Sequence, residues 1–456
     1  MPAPSPLKRL QKQLRPGELV FDEPTLKAHA GDKWFAAAMP EAVAFPTDTA
    51  AVSKVLAFAS RHKIPVTARG AGYGYVGGCV PSKGGIALSL MRMNRILEIN
   101  PDDFVAVVQP GVLTEHLQKE VEKVRRFYPP DPASRADCSI GGNIATNAGG
   151  PRCLKYGVTR EYVLGLEVVL ADGTIARVGG RTHKNKTGFD LAKLFVGSEG
   201  MLGVVTEATL KLLPLPPFRA CLAVGYRSMK EANAAIRGIF NSGLLPCALE
   251  LADDFTLSAA RKRTRSPLLE GCRAHMIIEL DGQEKSVRSE MKVLEAAVGT
   301  PITVARAFGP EACEKIWQIR REFSYSLRDT GLTKLNEDIV VPRGRLEELF
   351  GFAGELQAKH GLQVACFGHA GDGNIHVNVM VDLTKPGAQK KSEAALDDLF
   401  KKIVALGGAI TGEHGIGLAK KTWWPLAVSK EVRGLHHRVK SALDPDGILN
   451  PGKFLG

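Results

Sequence analysis

Between residues 69 and 78 the chain reads Arg69-Gly70-Ala71-Gly72-Tyr73-Gly74-Tyr75-Val76-Gly77-Gly78, directly after the strand-like run Pro65-Val66-Thr67-Ala68. Gly72 to Gly77 satisfies the dinucleotide pattern G-x-G-x-x-G, but that pattern requires a following helix whose N-terminus holds the pyrophosphate. Residues 79–85 lead instead into another predicted strand, Ile86-Ala87-Leu88-Ser89-Leu90. This order disfavours a Rossmann fold and therefore an NAD-dependent dehydrogenase.

Two more glycine-bearing stretches follow the first one. The second comprises Pro129-Pro130-Asp131-Pro132-Ala133-Ser134, then Cys138-Ser139-Ile140-Gly141-Gly142-Asn143-Ile144-Ala145-Thr146-Asn147-Ala148-Gly149-Gly150 and Leu154-Lys155-Tyr156-Gly157. The third is Leu194-Phe195-Val196-Gly197-Ser198-Glu199-Gly200-Met201-Leu202-Gly203-Val204-Val205-Thr206. Glycines let the backbone approach a ligand closely, and successive N–H groups can surround a phosphate. One such loop alone could be a simple glycine hairpin, whereas three can line one long cofactor.

Around these loops, residues 46–214 alternate helical patterns with short β-branched runs. Asp48 or Thr49 is predicted to cap a helix that continues to Ala59. A hairpin is predicted from Tyr162–Leu170 and Ile175–Val178, which are joined by an Asp-Gly turn.

The proline-rich segment Leu213-Pro214-Leu215-Pro216-Pro217 cannot continue a helix or a central strand, so it predicts a domain boundary. Helix, strand, strand and helix patterns follow in an α+β order, at 229–240, 248–251, 275–280 and 285–298. The turn at 444–447 then leads into a short tail. We therefore expect a first domain at 1–214 with its core at about 40–214, a second at 215–440, and a tail at 441–456 that returns to the first.

The composition indicates a globular protein of more than one domain. A chain of 456 residues exceeds the size of one hydrophobic core, and 44% hydrophobic with 24% charged residues excludes wholesale disorder. The formal net charge is +12, which suits acidic ligands, anionic surfaces or nucleic acid. Because no zinc-finger spacing or aromatic RNA-binding signature accompanies the charge, we expect no nucleic-acid partner.

Cysteines and hydropathy bear on the compartment. The 8 cysteines contain no C-x-x-C pair, so they are expected to be reduced thiols that hold no iron–sulfur cluster. No run of 18 apolar residues is present, which predicts a protein that does not span a membrane. A cytoplasmic location is expected, while the basic start of the chain leaves peripheral membrane association and organellar import open.

Two segments concentrate metal-ligand chemistry in the second half of the chain. Gly368-His369-Ala370-Gly371-Asp372-Gly373-Asn374-Ile375-His376-Val377-Asn378 places two histidines on either side of a turn, and Gly412-Glu413-His414-Gly415-Ile416-Gly417 follows later. His369, His376 and Glu413 form a His₂Glu set suited to a divalent ion, with zinc first and manganese or iron(II) as alternatives. Histidines that only hydrogen-bond across the turn are the other interpretation. His414 could accept a proton because imidazole titrates near neutral pH.

In these motifs the chain resembles the FAD-linked vanillyl-alcohol-oxidase superfamily over about residues 40–456, in particular its glycolate oxidase, D-lactate dehydrogenase and D-2-hydroxyglutarate dehydrogenase branch. The resemblance implies an α+β fold: a two-part FAD-binding domain and a mostly antiparallel α+β substrate (cap) domain. It also implies an FAD site in the three glycine stretches and in the tail segment Leu449-Asn450-Pro451-Gly452-Lys453. The implied FAD-binding residues are Arg69, Gly70, Ala71, Gly72, Tyr73, Gly74, Gly77, Gly78, Pro130, Ser134, Gly141, Gly142, Asn143, Thr146, Asn147, Gly149, Gly150, Gly157, Glu199, Gly203, Val204 and Asn450.

Two details of the first loop refine the cofactor expectation. Relatives commonly carry Thr and Ser where this chain has Tyr73 and Val76, so hydroxyl contacts to the cofactor are replaced or lost. The loop offers no His or Cys at the usual attachment position, and Cys79 lies just past it. We therefore expect non-covalent FAD.

The same resemblance implies oxidation of a D-2-hydroxy acid to its 2-oxo acid. Arg320, Ser324 and Lys334 would face the substrate, His414 would accept the hydroxyl proton, and Asn378 completes the catalytic candidates. Metal-dependent members of the family use the positions of His369, His376 and Glu413. A metal-dependent hydrolase and a non-catalytic FAD-binding subunit stay as alternatives. Quinone, cytochrome, electron-transferring flavoprotein, partner subunit and oxygen are all open as electron acceptor, and a homodimer is open as well.

Overall fold

The computed structural model describes residues 6–455 of the 456-residue chain. Residues 1–5 of the basic start and residue 456 of the predicted tail lie outside the described part. Within that part, none of the helices combines the length and the apolar composition needed to cross a membrane.

Strands and helices are numbered in chain order. The strands are β1 (Leu19–Val20), β2 (Ala42–Ala44), β3 (Val66–Arg69), β4 (Ile86–Ser89), β5 (Ile96–Asn100), β6 (Val105–Val108), β7 (Arg126–Phe127), β8 (Val163–Val169), β9 (Ile175–Gly179), β10 (Val204–Lys211), β11 (Leu213–Pro214), β12 (Phe218–Tyr226), β13 (Ala248–Asp253), β14 (Ala274–Gly282), β15 (Thr303–Phe308), β16 (Thr333–Val340), β17 (Gln363–His369) and β18 (Asn374–Val381). The α-helices are α1 (Pro6–Gln11), α2 (Glu23–Ala28), α3 (Thr49–His62), α4 (Thr114–Lys123), α5 (Ile140–Thr146), α6 (Cys153–Tyr156), α7 (Leu191–Phe195), α8 (Met229–Asn241), α9 (Asp254–Thr264), α10 (Glu284–Ala297), α11 (Pro310–Arg328), α12 (Leu346–His360), α13 (Ala388–Ala405), α14 (Trp424–Ala427) and α15 (Lys430–Leu443).

The chain forms two compact units, each built from separate pieces of sequence. Among the described residues, the first unit comprises 6–149, 157–215 and 413–455, and the second comprises 150–156 and 216–412. The predicted domain bounds at 214/215 and 440/441 stay a prediction.

The first unit contains a small sheet in the order β1-β2-β4-β3, in which β2, β4 and β3 run parallel. Helix α3 starts as predicted, because the Asp48 carboxylate accepts the Ala51 N–H at 2.8 Å. Its buried face, which includes Val52 and Leu56, packs in one core with strand residues of β2 and β4. Residues 70–85, all of them described, contain no helix. This confirms the prediction that a strand, and not a helix, follows the first glycine loop, so that the loop is not part of a Rossmann motif.

A second, antiparallel sheet of the first unit has the order β5-β6-β10-β8-β9. The predicted hairpin is confirmed as β8–β9, with Val169 paired to Ile175. Its turn forms where Thr174 N–H donates to the Asp172 carboxylate at 2.8 Å and Gly173 takes a φ of +89°. Two sheets of this kind in one unit agree with a two-part cofactor-binding domain.

The second unit is built on one antiparallel sheet in the order β15-β12-β14-β13-β17-β18-β16. Side chains of directly paired residues lie on the same face of a sheet. Glu250 pairs with His369, and on the neighbouring strands His376 pairs with Asp338 and Asn378 with Asn336. The register therefore gathers polar side chains from distant parts of the sequence on one face. The antiparallel pairing of all seven strands confirms the predicted, mostly antiparallel α+β character of this unit.

One buried carboxylate on that face holds the inserted segment 150–156. Glu279 is fully buried and accepts hydrogen bonds from Arg219 Nε at 3.1 Å, Arg152 Nη2 at 3.2 Å and Trp317 Nε1 at 2.5 Å. Burial by itself raises the pKa of Glu279, but the charges of Arg152 and Arg219 outweigh it and lower the pKa to about 2. Glu279 is therefore ionised at neutral pH and anchors α6 to the sheet.

We expect Glu279→Gln to lower the free energy of unfolding of the second unit by about 3–5 kcal/mol and with it the transition temperature, because two arginines then face a neutral amide in a buried setting. Differential scanning calorimetry of the full chain measures the change. Glu295→Gln is the matched control, since Glu295 pairs with Arg306 on an exposed surface, where salt bridges contribute little. Equal transition temperatures for the Glu279 variant and the wild type would contradict the expectation.

Candidate functional site

The first two glycine stretches meet in the first unit. A Cβ added to Gly70 would lie 2.4 Å from Ser139 Oγ and 3.4 Å from Gly142 N, at the start of α5. Ser139 caps this helix by accepting the Gly142 N–H at 3.3 Å. The first loop therefore packs backbone against backbone on α5, an approach that side chains at Gly70 would prevent.

Asn450 joins the first loop, the third glycine stretch and the tail. Its Nδ2 donates to Gly78 O at 2.9 Å and to Glu199 O at 2.6 Å, while its backbone N–H bonds Val66 O at 2.7 Å. Asn450 Oδ1 is buried, and no described residue donates to it. The buried Glu199 carboxylate accepts the N–H groups of Ile416 and Gly417 at 2.7 and 2.8 Å, and its burial raises its pKa.

Several side chains of the first loop have partners within the protein. The Arg69 guanidinium donates to Gly31 O and Cys79 Sγ, and a Cβ on Gly72 would lie 2.1 Å from it. The Tyr73 ring lies 4.4 Å from Lys33 Nζ, and a hydrogen bond to Asp137 raises the pKa of its hydroxyl. Val76 is buried, and its carbonyl accepts N–H groups of residues 418 and 419. These side chains thus have partners within the protein, and whether Arg69 or Tyr73 also contacts a phosphate stays a prediction.

Several other predicted cofactor residues already have local partners. Pro130 O accepts Gln118 Nε2 at 2.9 Å, Asn143 Nδ2 donates to Thr114 Oγ1 at 2.6 Å, Thr146 Oγ1 donates to Gly142 O at 3.3 Å, and Asn147 Oδ1 accepts Arg160 N–H at 2.8 Å. Val204 pairs with Val169 inside the sheet, Gly203 packs on Phe195, and Gly157 has a φ of +78°. Their side chains shape the loops, and whether they also contact a ligand stays a prediction.

The first unit fits a long cofactor. The Asn450 amide joins backbone of the first and third stretches, and its Oδ1 is a buried acceptor for a ligand donor. The third stretch is bonded in turn to the second, because Glu199 N–H donates to Ala145 O at 2.8 Å. Gly142 and Gly78 leave their Cβ directions open, with single described neighbours at 3.4 and 3.9 Å. The residues present can therefore hold a nucleotide cofactor through backbone groups.

In the second unit, α11 and β16 bring together the three predicted substrate residues. Arg320 and Ser324 lie four residues apart on α11, which places them on the same helix face. Lys334 of β16 donates from Nζ to Ser324 Oγ at 2.7 Å. Burial first, and then repulsion from Arg328 and Arg320, lowers the pKa of Lys334 to about 8. Two cationic groups and a hydroxyl thus form a site suited to carboxylates.

Glu250 was missed by the sequence reasoning, although it lies in this group. Its Oε2 accepts Arg320 Nε at 2.5 Å and its Oε1 accepts His369 Nδ1 at 2.5 Å. Burial by itself raises the pKa of Glu250, but the charges of His369 and Arg320 lower the pKa to about 2. The available signal was a single acidic residue within the apolar strand Ala248-Leu249-Glu250-Leu251, because a buried charge requires a partner.

The turn between β17 and β18 brings the two predicted metal histidines together. The rings of His369 and His376 lie 5.7 Å apart at an angle of 80°. Asn378 Nδ2 donates to His376 O and Ala365 O, each at 3.0 Å. Asn378 Oδ1 is buried, with no hydrogen-bond partner in the described part of the chain. The amide of Asn378 thus fixes the strands that carry the histidines.

Glu413 is peptide-bonded to Gly412, the last residue of the second unit. The buried Asp338 carboxylate accepts Gly412 N–H at 2.9 Å and Thr411 Oγ1–H at 3.1 Å, and its other oxygen accepts Asn374 Nδ2 at 2.7 Å. One ligand atom of each of His369, His376 and Glu413 lies within 4.8 Å of the others. This His₂Glu set suits a divalent metal with open coordination positions.

His414 follows Glu413 and belongs to the first unit. Its ring lies 5.3 Å from the Tyr75 ring of the first loop. The next residues are held by Glu199, which accepts the N–H groups of Ile416 and Gly417. The predicted base therefore lies beside the first glycine loop, and the segment that follows it is bonded to Glu199 of the third glycine stretch.

Comparison with known proteins agrees with both halves of this description. Residues 40–179 match an FAD binding domain, and residues 215–454 match the C-terminal domain of FAD-linked oxidases. The chain therefore belongs to the FAD-linked oxidases, and FAD is the cofactor of its binding domain. The resemblance to this family, drawn from the glycine loops, is confirmed.

Relatives and solved structures add detail. The glycolate oxidase subunit GlcD of Bacillus subtilis is 40% identical over 91% of this chain and 89% of its own length. A D-lactate dehydrogenase of Anaerostipes hadrus is 36% identical over 91% and 90%, and a D-2-hydroxyglutarate dehydrogenase of Stutzerimonas stutzeri is 32% identical over 100% and 99%. The 4-ethylphenol oxidase of Gulosibacter chungangensis has the same fold, with a TM-score of 0.78 at 20% identity over 98% of this chain and 96% of that one. The predicted fold class is confirmed.

We expect Gly142→Val to abolish retention of FAD, and Gly142→Ala to weaken it, because added carbons enter the open space beside the start of α5. The protein itself tolerates a methyl group there, since Ser139 Oγ at 3.4 Å is its only described neighbour within 4 Å. The measurement is the ratio of flavin to protein after purification.

Gly351→Ala is the matched control for the Gly142 variants. Gly351 is also helical, and a Cβ there meets no described atom within 4 Å. It should gain helix stability without changing flavin content. Wild-type flavin content in both Gly142 variants would show that this backbone does not meet the cofactor.

Proposed function

We propose that this protein oxidises a D-2-hydroxy acid to the 2-oxo acid with non-covalent FAD as hydride acceptor. The observation that carries the proposal is a group of side chains from helix α11 and the sheet. Arg320 and Ser324 of α11 and Lys334 of β16 lie close to the His369–His376 pair, which Glu250 links to Arg320. The group offers cations for a carboxylate next to ligands for a metal. A 2-hydroxy acid carries a carboxylate and, on the adjacent carbon, a hydroxyl that a metal can bind. Relatives named as glycolate, D-lactate and D-2-hydroxyglutarate enzymes support it.

Arg320 would bind the substrate carboxylate. Its Nε is bonded to Glu250, so the plane of the guanidinium is fixed and its two Nη groups have a set direction. The rings of Phe367 and Phe323 lie 4.7 and 5.7 Å from its Cζ and restrict the side chain further. A preorganised cation of this kind loses little freedom when the carboxylate binds.

His369, His376 and Glu413 would hold a divalent metal, with zinc first. His414 would accept the hydroxyl proton at an imidazole nitrogen, while Asn378 would keep β17 and β18 in register. When bound, FAD supplies the two-electron acceptor and the metal supplies a Lewis acid for the hydroxyl oxygen. The reaction then balances, because the alcohol loses one proton to His414 and one hydride from its Cα.

Lys334 bears on which D-2-hydroxy acid is the substrate. Bonded to Ser324 and facing the charges of Arg320 and Arg328, it could meet a second carboxylate, as in D-2-hydroxyglutarate or D-malate. It could also support the first carboxylate, as D-lactate and glycolate would require. Relatives acting on substrates of both sizes are known by name, so the side chain itself has to be tested.

The electron acceptor, the oligomeric state and the cellular location complete the proposal. The electron acceptor is one of a quinone, a cytochrome, an electron-transferring flavoprotein, oxygen or a partner subunit. Among these, a partner subunit is supported by the relative that is named as a subunit of glycolate oxidase. A homodimer and a cytoplasmic location stay predictions.

Anaerobic mixing of the flavoprotein with a panel of D- and L-2-hydroxy acids should bleach the flavin with the D enantiomers only. Stopped-flow absorbance measures the reduction. Bleaching by L enantiomers would overturn the substrate assignment, and no bleaching at all would favour a non-catalytic FAD-binding subunit. Hydrolysis that survives flavin removal would instead favour the metal-dependent hydrolase.

In the same assay, Arg320→Ala should lower the rate constant for reduction divided by the substrate dissociation constant, by an amount equivalent to about 2–5 kcal/mol, the range for truncating a buried charge-assisted pair. Arg321→Ala is the control, since Arg321 is the next residue of α11 and pairs with Glu314 on the exposed surface. Similar losses in both variants would contradict a carboxylate-binding role for Arg320.

Lys334→Ala should reduce kcat/KM for D-2-hydroxyglutarate at least tenfold more than for D-lactate if Lys334 binds a second carboxylate. Because its pKa is about 8, the cation is lost as pH rises through 8. The wild-type kcat/KM for the dicarboxylate should therefore fall above pH 8, and Lys334→Arg should remove that fall. Equal losses on both substrates would exclude the distal role.

A further inference from the structure

Glu250 connects two parts of the candidate site that differ in chemistry. One carboxylate oxygen accepts His369 Nδ1–H at 2.5 Å, and the other accepts Arg320 Nε–H at 2.5 Å. The side chain is 2% exposed, so water does not compete for these oxygens. A metal-ligand candidate and the substrate-carboxylate candidate are thus bonded to opposite ends of the same group.

The position follows from the register of the sheet. Glu250 on β13 pairs directly with His369 on β17, which places their side chains side by side. Arg320 reaches the same carboxylate from α11. No rotation of Glu250 can satisfy one partner better without weakening the bond to the other.

We propose that Glu250 is a positioning residue that prepares both metal binding and substrate binding. Its bond to Nδ1 fixes the tautomer of His369 in which Nε2 carries the lone pair that a metal requires. Its bond to Nε fixes the guanidinium plane of Arg320 toward the substrate carboxylate. This inference rests on the proposed function for the role of Arg320, but its metal part can be measured without a substrate.

Glutamine is an informative replacement because it keeps the size of glutamate and changes its hydrogen bonding. Its amide has one acceptor oxygen and one NH₂ donor, so the donor must face either Nδ1–H or Nε–H. One of the two bonds is therefore lost whichever way the amide lies. Losing such an outer partner of a metal ligand typically costs 10–100-fold in metal affinity or activity.

Glu279→Gln provides a matched control. Glu279 lies on the adjacent strand β14, is equally buried and is held by arginines, but it bonds neither His369 nor Arg320. Both variants lose a buried carboxylate from the same sheet face. General loosening of the sheet affects both, whereas a positioning role is specific to Glu250.

The experiment measures zinc affinity of the flavin-loaded protein by competition with a chromophoric chelator, at a temperature where all variants remain folded by circular dichroism. Glu250→Gln should weaken zinc binding about 10–100-fold and raise KM for the best hydroxy acid of the panel, while Glu279→Gln should change neither by more than about twofold. Manganese is titrated in the same way. Wild-type zinc affinity and KM in Glu250→Gln, or equal losses in both variants, would overturn the proposal.

A second variant covers the case in which Glu250→Gln does not fold. Glu250→Asp keeps the charge but is one methylene shorter, so it cannot reach both partners at once, and zinc affinity or KM should change accordingly. Wild-type values of both would overturn the positioning role. A wild-type protein that binds zinc but oxidises no hydroxy acid would refute the proposed function alone, whereas one that binds no metal would refute this inference.

Discussion

An antiparallel sheet that keeps ionised carboxylates in its interior must supply each of them with partners, and the second unit depends on this constraint. Glu250 and Glu279 lie on neighbouring strands of one face and both remain charged, because arginines and a histidine outweigh the effect of burial. Removing a partner from such a pair costs several kcal/mol, whereas making the pair adds little stability over apolar packing. These carboxylates therefore fix the arrangement of side chains more than they add stability.

The two carboxylates divide the sheet face by task. Glu279 receives Arg152 from the inserted segment together with Arg219 and Trp317, and so holds elements in place. Glu250 receives the two residues that the proposed chemistry needs. Asp338 accepts hydrogen bonds from Thr411 and Gly412, and so holds the backbone directly before Glu413. A frame of buried acids thus supports groups that would otherwise repel one another or rotate freely.

The sequence predicted the glycine loops, the absence of a helix after the first of them, the β8–β9 hairpin and the start of α3, because each of these depends on residues close together in the chain. It did not reveal Glu250, since its partners Arg320 and His369 lie 70 and 119 residues away. The register of the sheet brings His369 to it, and the packing of α11 brings Arg320. The motif residues Asn143 and Asn147 illustrate a further limit. A motif marks where a loop is, but does not separate side chains that shape the loop from those that touch a ligand.

The bonds of Asn450 also bear on how the protein is made. Gly78 and Glu199, which it joins, precede it by 372 and 251 residues. At a synthesis rate of about 5–20 residues per second, roughly 20–75 s separate Gly78 from Asn450 on the ribosome. The bonds between Asn450 and the glycine stretches therefore form only after the whole second unit has been translated. The first unit thus reaches its full set of contacts only when translation is almost complete.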